Sequence, residues 1–227
     1  MTDPRDQYIH RVASGRTFAE VGGLWGTLNE RVSVAHAAGA RHLTMIDLSP
    51  ADSHWWPKFR ERCKTLAVPA AEEVSAEILR LAEQPAPPAF DVVHCSGVLY
   101  HMPDPMRFLS ALRRLTREYL VLTSSITADL IANESGILRV PSGGALFIPA
   151  LTPAELAVVR ADWLPLVGEN AGGITCSATW RADDFGPWWW LPTIGAMKAM
   201  CEAAGFRVLD GQTLWNDHAY TVLLEAR

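Results

Sequence analysis

Short apolar runs alternate with longer stretches of helical periodicity along most of the chain. The short runs are rich in β-branched residues, and the longer stretches place apolar residues three or four positions apart. This alternation is typical of a parallel sheet covered by helices. The predicted strands are residues 17–21, 42–47, 65–68, 90–95, 119–123, 206–209 and 218–224, and the predicted helices are residues 27–38, 53–63, 72–81, 106–115, 152–162 and 193–204.

The alternation lapses between residues 124 and 192. A bare loop of about 70 residues is unusual in a compact domain, so we expect this segment to have structure of its own. Thr152, followed by Pro153 and Glu155, predicts the start of a short helix within it. We therefore expect one domain over residues 1–227, with an insertion at 124–192 after the fifth strand.

The charge balance narrows the classes of function. Lys and Arg number 20 and Asp and Glu 25, so the formal net charge is −5, which disfavours binding of nucleic acid by broad phosphate neutralisation. The N-terminus is charged where a signal peptide needs an apolar core, and no apolar run reaches about 18 residues. A cytoplasmic protein without membrane association is expected. The spacing of Cys63, Cys95, Cys176 and Cys201 fits neither a metal site nor a disulfide framework, and no metal is predicted.

The first predicted strand runs into a glycine-rich turn, EVGGLWG at residues 20–26, and Asp47 ends the second strand. Glycines let a ligand approach the backbone, and a carboxylate on the following strand can accept hydrogen bonds from ribose hydroxyls. Thr27 and Glu30 have the spacing of a capping box and predict where the next helix begins. Together these features predict a nucleoside site.

The spacing of the glycines bears on which nucleoside is bound. A dinucleotide pyrophosphate favours G-x-G-x-x-G, whereas Leu24 takes the position of the middle glycine here. The bulky Leu24 and Trp25 would crowd a pyrophosphate, and Glu20 would add negative charge beside it. These residues favour a ligand that has no phosphate and a cationic end. A nicotinamide dinucleotide remains the alternative.

In these segments the chain resembles the class I S-adenosylmethionine (SAM)-dependent methyltransferases. The resemblance is carried by residues 20–26, Asp47 with Leu48, residues 90–105 and residues 200–206. It spans about residues 17–125 and 193–227 and leaves the insertion uncovered. It implies a doubly wound, Rossmann-like α/β sheet, mostly parallel with an antiparallel C-terminal strand, and SAM as the cofactor.

The resemblance also implies a set of cofactor-binding residues. The glycines of the turn would lie against the methionine moiety, the glutamate near its ammonium, the aspartate on the ribose hydroxyls and the leucine on adenine, while two residues at the end of the fourth strand would border the sulfonium with their backbone. These residues are Glu20, Gly22, Gly23, Gly26, Asp47, Leu48, Cys95 and Ser96. The contact to the adenine amine is left open between Glu72 and Glu73.

Methyl transfer from SAM is a displacement at a methyl group that a positive sulfur already activates. The protein must align the acceptor, exclude water and, for a hydroxyl acceptor, take up a proton. An imidazole suits this last task near neutral pH, and His101, just beyond the fourth strand, is the candidate base. A structural role for His101 is the alternative. The tryptophans at 188–190 indicate either an acceptor with an apolar face or packing of the insertion.

The sequence thus predicts a SAM-dependent methyltransferase that acts on oxygen of a small-molecule or sugar-containing acceptor, with residues 124–192 shaping the acceptor pocket. One alternative is a methyltransferase for wobble uridine in RNA, with Arg113, Arg114 and Arg117 as a local basic cluster. The others are a non-catalytic SAM-binding partner subunit and a nicotinamide-dependent oxidoreductase. Homo-oligomer formation is left open.

Overall fold

The computed structural model describes residues 3–25, 30–168, 174, 179 and 187–227. Within them the helices are α1 (Pro4–Val12), α2 (Val32–Ala37), α3 (Trp55–Thr65), α4 (Ile78–Ala82), α5 (Pro105–Leu115), α6 (Pro153–Val167) and α7 (Ile194–Ala203). The strands are β1 (Thr17–Val21), β2 (His42–Asp47), β3 (Glu72–Ser75), β4 (Phe90–Ser96), β5 (Thr116–Ser125), β6 (Leu130–Asn133), β7 (Gly136–Arg139), β8 (Ala145–Phe147), β9 (Trp190–Pro192), β10 (Phe206–Leu214) and β11 (Ala219–Ala226).

Seven of these strands form one sheet in the order β10-β11-β5-β4-β1-β2-β3. The pairs from β5 to β3 are parallel, whereas β11 runs antiparallel to both β5 and β10. The predicted α/β sheet with an antiparallel C-terminal strand is confirmed. Because Ala219 pairs with Ser125, the turn between β10 and β11 lies at the same edge as the carboxyl ends of β1, β2 and β4. Ligands of open α/β sheets bind at this edge.

Two apolar clusters cover the two faces of the sheet. One packs α4, α5 and α7 against it, and the other packs α1, α2 and α3. Helix α5 shows the underlying pattern, because Phe108, Leu109, Leu112 and Leu115 share one face and are fully buried. Burying each such side chain contributes about 1.5–3 kcal/mol relative to exposure.

Helix α1 lies outside the elements predicted from sequence. Asp3 caps it by accepting a hydrogen bond from the backbone N–H of Arg5, and Pro4 occupies its first turn. Its apolar face, with Tyr8, Ile9 and Val12, is buried in the second cluster. The N-terminal segment is therefore packed on the sheet.

The third strand was misplaced. Residues 65–68, predicted as this strand, contain the last residue of α3 and a loop, and β3 forms at Glu72–Ser75, where a helix was predicted. The prediction was wrong because β3 is an edge strand: it pairs with β2 alone and leaves Glu72 and Glu73 exposed. Such a strand needs no apolar pattern.

Helix α2 begins at Val32, five residues later than predicted. Thr27 lies outside the described residues. The carboxylate of Glu30 accepts hydrogen bonds from the backbone N–H of Ser33 at 2.8 Å and from its hydroxyl at 2.5 Å, so it caps the helix from outside its first turn. The predicted Thr27–Glu30 capping box involves a residue outside the described part of the chain, and Glu30 contacts Ser33 further along the chain.

The segment between β5 and α7 contains a β6–β7 hairpin, helix α6 and the β8–β9 pair. A separate apolar cluster forms there around Ile148, Val159 and Trp163. The predicted cap of α6 is confirmed, because Thr152 and Glu155 form a complete capping box. Among the described residues, no helix is long and apolar enough to span a membrane.

Candidate active site

The turn after β1 passes close to the loop after β4. Gly22 has a φ of +77°, and a Cβ at this position would lie 2.6 Å from Cγ2 of Val98. A Cβ on Gly23 would lie 2.7 Å from Cδ of Glu20. Real Cβ contacts of this length do not occur without movement of a neighbour, so both glycines are required by the packing of the turn. The backbone here is exposed to a ligand only because the side chains are missing.

Glu20 is buried near the end of β1, and its carboxylate accepts hydrogen bonds from backbone N–H groups at the N-terminus of α2. Oε2 accepts hydrogen bonds from the backbone N–H groups of Arg31 at 2.6 Å and Val32 at 3.0 Å, and Oε1 lies 3.4 Å from Nδ1 of His94. A carboxylate is favoured at a helix N-terminus by the orientation of the peptide dipoles. Glu20 therefore anchors the turn to the helix, and its role toward a ligand ammonium stays a prediction.

Asp47 closes β2 beside this turn. Its Oδ2 accepts a hydrogen bond from the backbone N–H of Leu24 at 3.1 Å, and its Oδ1 accepts one from Ser49 at 2.8 Å. A carboxylate has about four acceptor sites, so capacity remains for ribose hydroxyls. The side chain of Leu24 is fully buried in the core and does not fill the cleft, whereas Leu48 is 48% exposed, as a surface for an adenine ring requires.

The end of β4 supplies the opposite wall. Cys95 is fully buried, and burial raises the pKa of its thiol well above the usual range, so the thiol is not a nucleophile. Ser96 follows it, half-buried, and Gly97 then turns the chain with a φ of +76°. This strand end thus lies close to the turn at Gly22, which packs against Val98 just beyond it.

A group of charged residues from α1 reaches this edge and was not predicted. Nη1 of Arg5 donates to the hydroxyl of Ser96 at 3.2 Å, and the Arg5 guanidinium lies 5.7 Å from the centre of the Trp215 ring. Asp3 bridges Arg5 to Arg31, with Nη2 distances of 2.6 and 2.9 Å. The Asp-Pro pair that starts α1 was a readable signal for the helix, but the contact with Ser96 spans 91 positions and has no sequence signal.

His101 lies in a short 3₁₀ turn after β4, at the start of a chain of aromatic contacts. Its ring centre is 4.2 Å from that of Tyr100, and Tyr100 is 4.8 Å from Trp188. Burial raises the pKa of Tyr100 to about 12, with an opposing hydrogen bond from Ser125, so this phenol is not a base at neutral pH. Of the two neighbours, the imidazole is the group that suits proton uptake.

The insertion continues this aromatic chain. Trp188 meets Trp163 of α6 edge-on at 4.8 Å, and Trp163 meets His218 of the β10–β11 turn at 4.9 Å. His218 lies 3.1 Å from a carboxylate oxygen of Asp162, which ties the turn to α6. Trp190 instead lines an apolar groove of about 370 Å³ on the α5 and α7 side. Tyr100 lines the same groove, so the groove adjoins the chain of ring contacts at Tyr100.

Three residues singled out from the sequence lie outside the described residues, namely Gly26, Thr27 and Cys176. The other cofactor-binding candidates gather at the carboxyl ends of β1, β2 and β4, and His101 lies in the loop that follows β4. Within the described part of the chain, no group of three or more His, Cys, Asp or Glu side chains has the arrangement of a metal site.

The sheet order, the glycine turn after β1 and the carboxylate ending β2 define the class I methyltransferase architecture. The methyltransferase domain family matches residues 14–210. A ubiquinone biosynthesis O-methyltransferase from Methylococcus capsulatus is 32% identical over 181 residues, which cover 74% of this chain and 72% of that protein. The chain therefore belongs to the methyltransferase family, and a SAM-dependent methyltransferase with SAM as cofactor is confirmed.

Solved structures with low sequence identity share the fold. Magnesium protoporphyrin IX methyltransferase from Synechocystis PCC 6803, with bound SAM, has a TM-score of 0.56 at 12% identity, covering 99% of this chain and 78% of that one. The 1,6-didemethyltoxoflavin-N1-methyltransferase of Burkholderia thailandensis, with S-adenosylhomocysteine (SAH) and its acceptor bound, has a TM-score of 0.58 at 13% identity, covering 98% and 76%. An O-methyltransferase family protein from the same organism has a TM-score of 0.60 at 15% identity, covering 99% and 55%.

Proposed function

We propose that the protein transfers the methyl group of SAM to a hydroxyl oxygen of a small, flat, aromatic acceptor. The observation that carries this proposal is the chain of ring contacts from Tyr100 through Trp188 to Trp163, beside the strand end that carries Ser96. A planar acceptor can stack on such rings. The relative from M. capsulatus, named as an O-methyltransferase of ubiquinone biosynthesis, supports the choice of oxygen.

The residues of the cleft fit SAM. Asp47 retains acceptor capacity for the ribose hydroxyls, and the exposed face of Leu48 is available to adenine. The turn at Gly22 and Gly23 has no side chain on the ligand side. We assign the methionine carboxylate to the guanidinium of Arg5, because that group contacts Ser96 at the end of β4 and pairs well with a planar carboxylate.

SAM supplies an electrophilic methyl group when bound, so the tasks left to the chain are alignment, water exclusion and proton uptake. The rings of Tyr100 and Trp188 hold the acceptor plane and exclude water. The imidazole of His101, 4.2 Å from the Tyr100 ring, accepts the hydroxyl proton as the oxygen attacks. Residues 124–192, which provide Trp188 and the buried Trp163 that supports it, shape the acceptor pocket.

The proposal is tested by incubating the protein with SAM and a panel of phenolic, catecholic, carboxylic and sugar acceptors, with mass spectrometry of the products. We expect a single added methyl on a phenolic oxygen. Trp188→Ala should raise KM for the phenol more than tenfold, and Trp188→Phe should restore most of the affinity. Leu164→Ala, at an exposed position of α6, is the matched control and should behave as wild type.

Methylation of nitrogen, carbon or a sugar hydroxyl in preference to a phenol would overturn the acceptor assignment. Equal KM values for Trp188→Ala and wild type would remove the aromatic chain from the acceptor site. An RNA acceptor has less support, because Arg113 donates to the backbone carbonyls of Gly205 and Thr116 and Arg117 pairs with Asp91. These side chains hold the fold together at the far edge of the sheet.

A further inference from the structure

Asp3 presents a carboxylate to two guanidinium groups at the mouth of the cofactor cleft. Nε of Arg5 lies 3.0 and 3.2 Å from the two carboxylate oxygens, and Nη2 lies 2.6 Å from Oδ2. Nη2 of Arg31 lies 2.9 Å from the same Oδ2. The Nε/Nη2 edge of Arg5 is therefore already filled by a residue of the chain, and the other edge that could hold a carboxylate with two donors has Nη1 on the Ser96 hydroxyl.

The two arginines that Asp3 contacts lie next to the ends of β4 and β1. Nη1 of Arg5 reaches the Ser96 hydroxyl at the end of β4, and the backbone N–H of Arg31 donates to Glu20 at the end of β1. Both arginines are buried. The Arg5 guanidinium and the Arg31 backbone thus lie beside the ends of β4 and β1, the region to which the proposed function assigns the amino-acid part of SAM.

We infer that Asp3 is a built-in competitor for the methionine carboxylate, pairing with Arg5 and giving way when the cofactor binds. The inference rests on the assignment of Arg5 in the proposed function. Asp3 offers Arg5 the same chemical group that SAM and SAH offer, and one guanidinium edge holds one carboxylate in bidentate fashion. Asp3 therefore lowers the apparent affinity for both ligands and favours release of the product SAH.

A second ion pair allows Asp3 to leave without releasing α1. Oδ1 of Asp6 lies 2.7 Å from Nε of Arg31, one turn further along the helix. This pair does not involve Arg5, so it can persist while the Asp3 carboxylate moves. The buried residues Tyr8 and Ile9 keep the rest of α1 on the sheet.

The test measures binding of two ligands to three proteins by isothermal titration calorimetry. SAH carries the carboxylate, whereas 5′-methylthioadenosine lacks the whole amino-acid part. Asp3→Asn keeps a good helix cap but loses the charge, so SAH should bind about three- to tenfold more tightly while 5′-methylthioadenosine is unchanged. Glu225→Gln removes the same charge from a surface ion pair with Arg207 at the opposite end of β11, and its SAH affinity should stay within about twofold of wild type.

The outcomes separate the two levels of the proposal. If the wild type binds both ligands and Asp3→Asn binds SAH equally well or more weakly than the wild type, the competitor role alone is overturned. Failure of the wild type to bind either ligand would overturn the cofactor site itself. Asp3→Ser, which retains a capping hydroxyl without a carboxylate or amide, provides a second variant if the asparagine is poorly folded, and it should show the same gain for SAH.

Discussion

Replacing Gly22 by alanine tests whether the turn after β1 is shaped by its contact with the loop after β4. The φ of +77° costs a non-glycine residue about 1–2 kcal/mol. The new Cβ would lie 2.6 Å from Cγ2 of Val98, and overpacking of this kind costs about 1–3 kcal/mol. We therefore expect Gly22→Ala to lower the free energy of unfolding by about 2–5 kcal/mol.

Two further variants separate these costs. Gly15 has a similar φ of +71°, but a Cβ there would meet no atom within 4 Å, so Gly15→Ala measures the backbone cost alone. Val98→Ala removes the methyl groups that Gly22→Ala would strike. In the double variant part of the loss should be recovered, as a favourable coupling of about 1 kcal/mol or more.

Urea unfolding followed by circular dichroism measures all of these proteins, and SAH binding is measured in parallel. Strain in the turn should also weaken SAH binding by Gly22→Ala, and Val98→Ala should restore part of it. The reasoning would be refuted if Gly22→Ala cost no more than Gly15→Ala and if the effects of Gly22→Ala and Val98→Ala simply added. That result would mean that the turn relaxes away from Val98 without penalty.

Three other predictions concern single residues of the site. Asp47→Asn should remove more than half of the stabilisation by SAH, which is about 2.7 kcal/mol at 100 times the dissociation constant, and an unchanged thermal shift would contradict its ribose role. His101→Gln should slow single-turnover methyl transfer about 10²- to 10⁴-fold while SAH binds as before, and an unaltered rate would leave His101 with a structural role. Burial raises the pKa of Asp3, but Arg5 and Arg31 outweigh burial and lower it to about 2 from the ordinary 3.8. The stability that ionised Asp3 contributes is thus present above pH 4 and is lost as the pH falls through 2, so the difference in unfolding free energy between wild type and Asp3→Asn should shrink between pH 4 and 2 and vanish below pH 2. A constant difference would argue against the ion pair.

The central strands could be predicted because both of their faces are buried. β1 and β2 have the predicted bounds, 17–21 and 42–47, and β4 extends the predicted 90–95 by one residue. A continuous apolar run is what such a strand requires. The glycine turn and Asp47 could also be identified from the sequence, because their predicted roles depend on backbone conformation and on position at the end of a strand.

The edge strand and the start of α2 were decided by tertiary structure. β3 pairs on one side alone, so its sequence had no need of an apolar pattern and the prediction moved to residues 65–68. The backbone amides of Arg31 and Val32 at the start of α2 are satisfied by Glu20, a residue of the preceding strand. A local capping pattern in the sequence cannot predict a hydrogen-bond partner that only the tertiary fold brings to the helix.

The sequence by itself therefore determined the class of fold, the cofactor and the residues that lie at strand ends. Only the tertiary structure brought Arg5 to Ser96, placed Asp3 against Arg5 and Arg31, and joined the rings of the insertion to those after β4. The physical reason is the separation along the chain between the residues that interact. Periodicity and capping record interactions between residues a few positions apart, whereas ion pairs and ring contacts across the cleft depend on how distant segments pack.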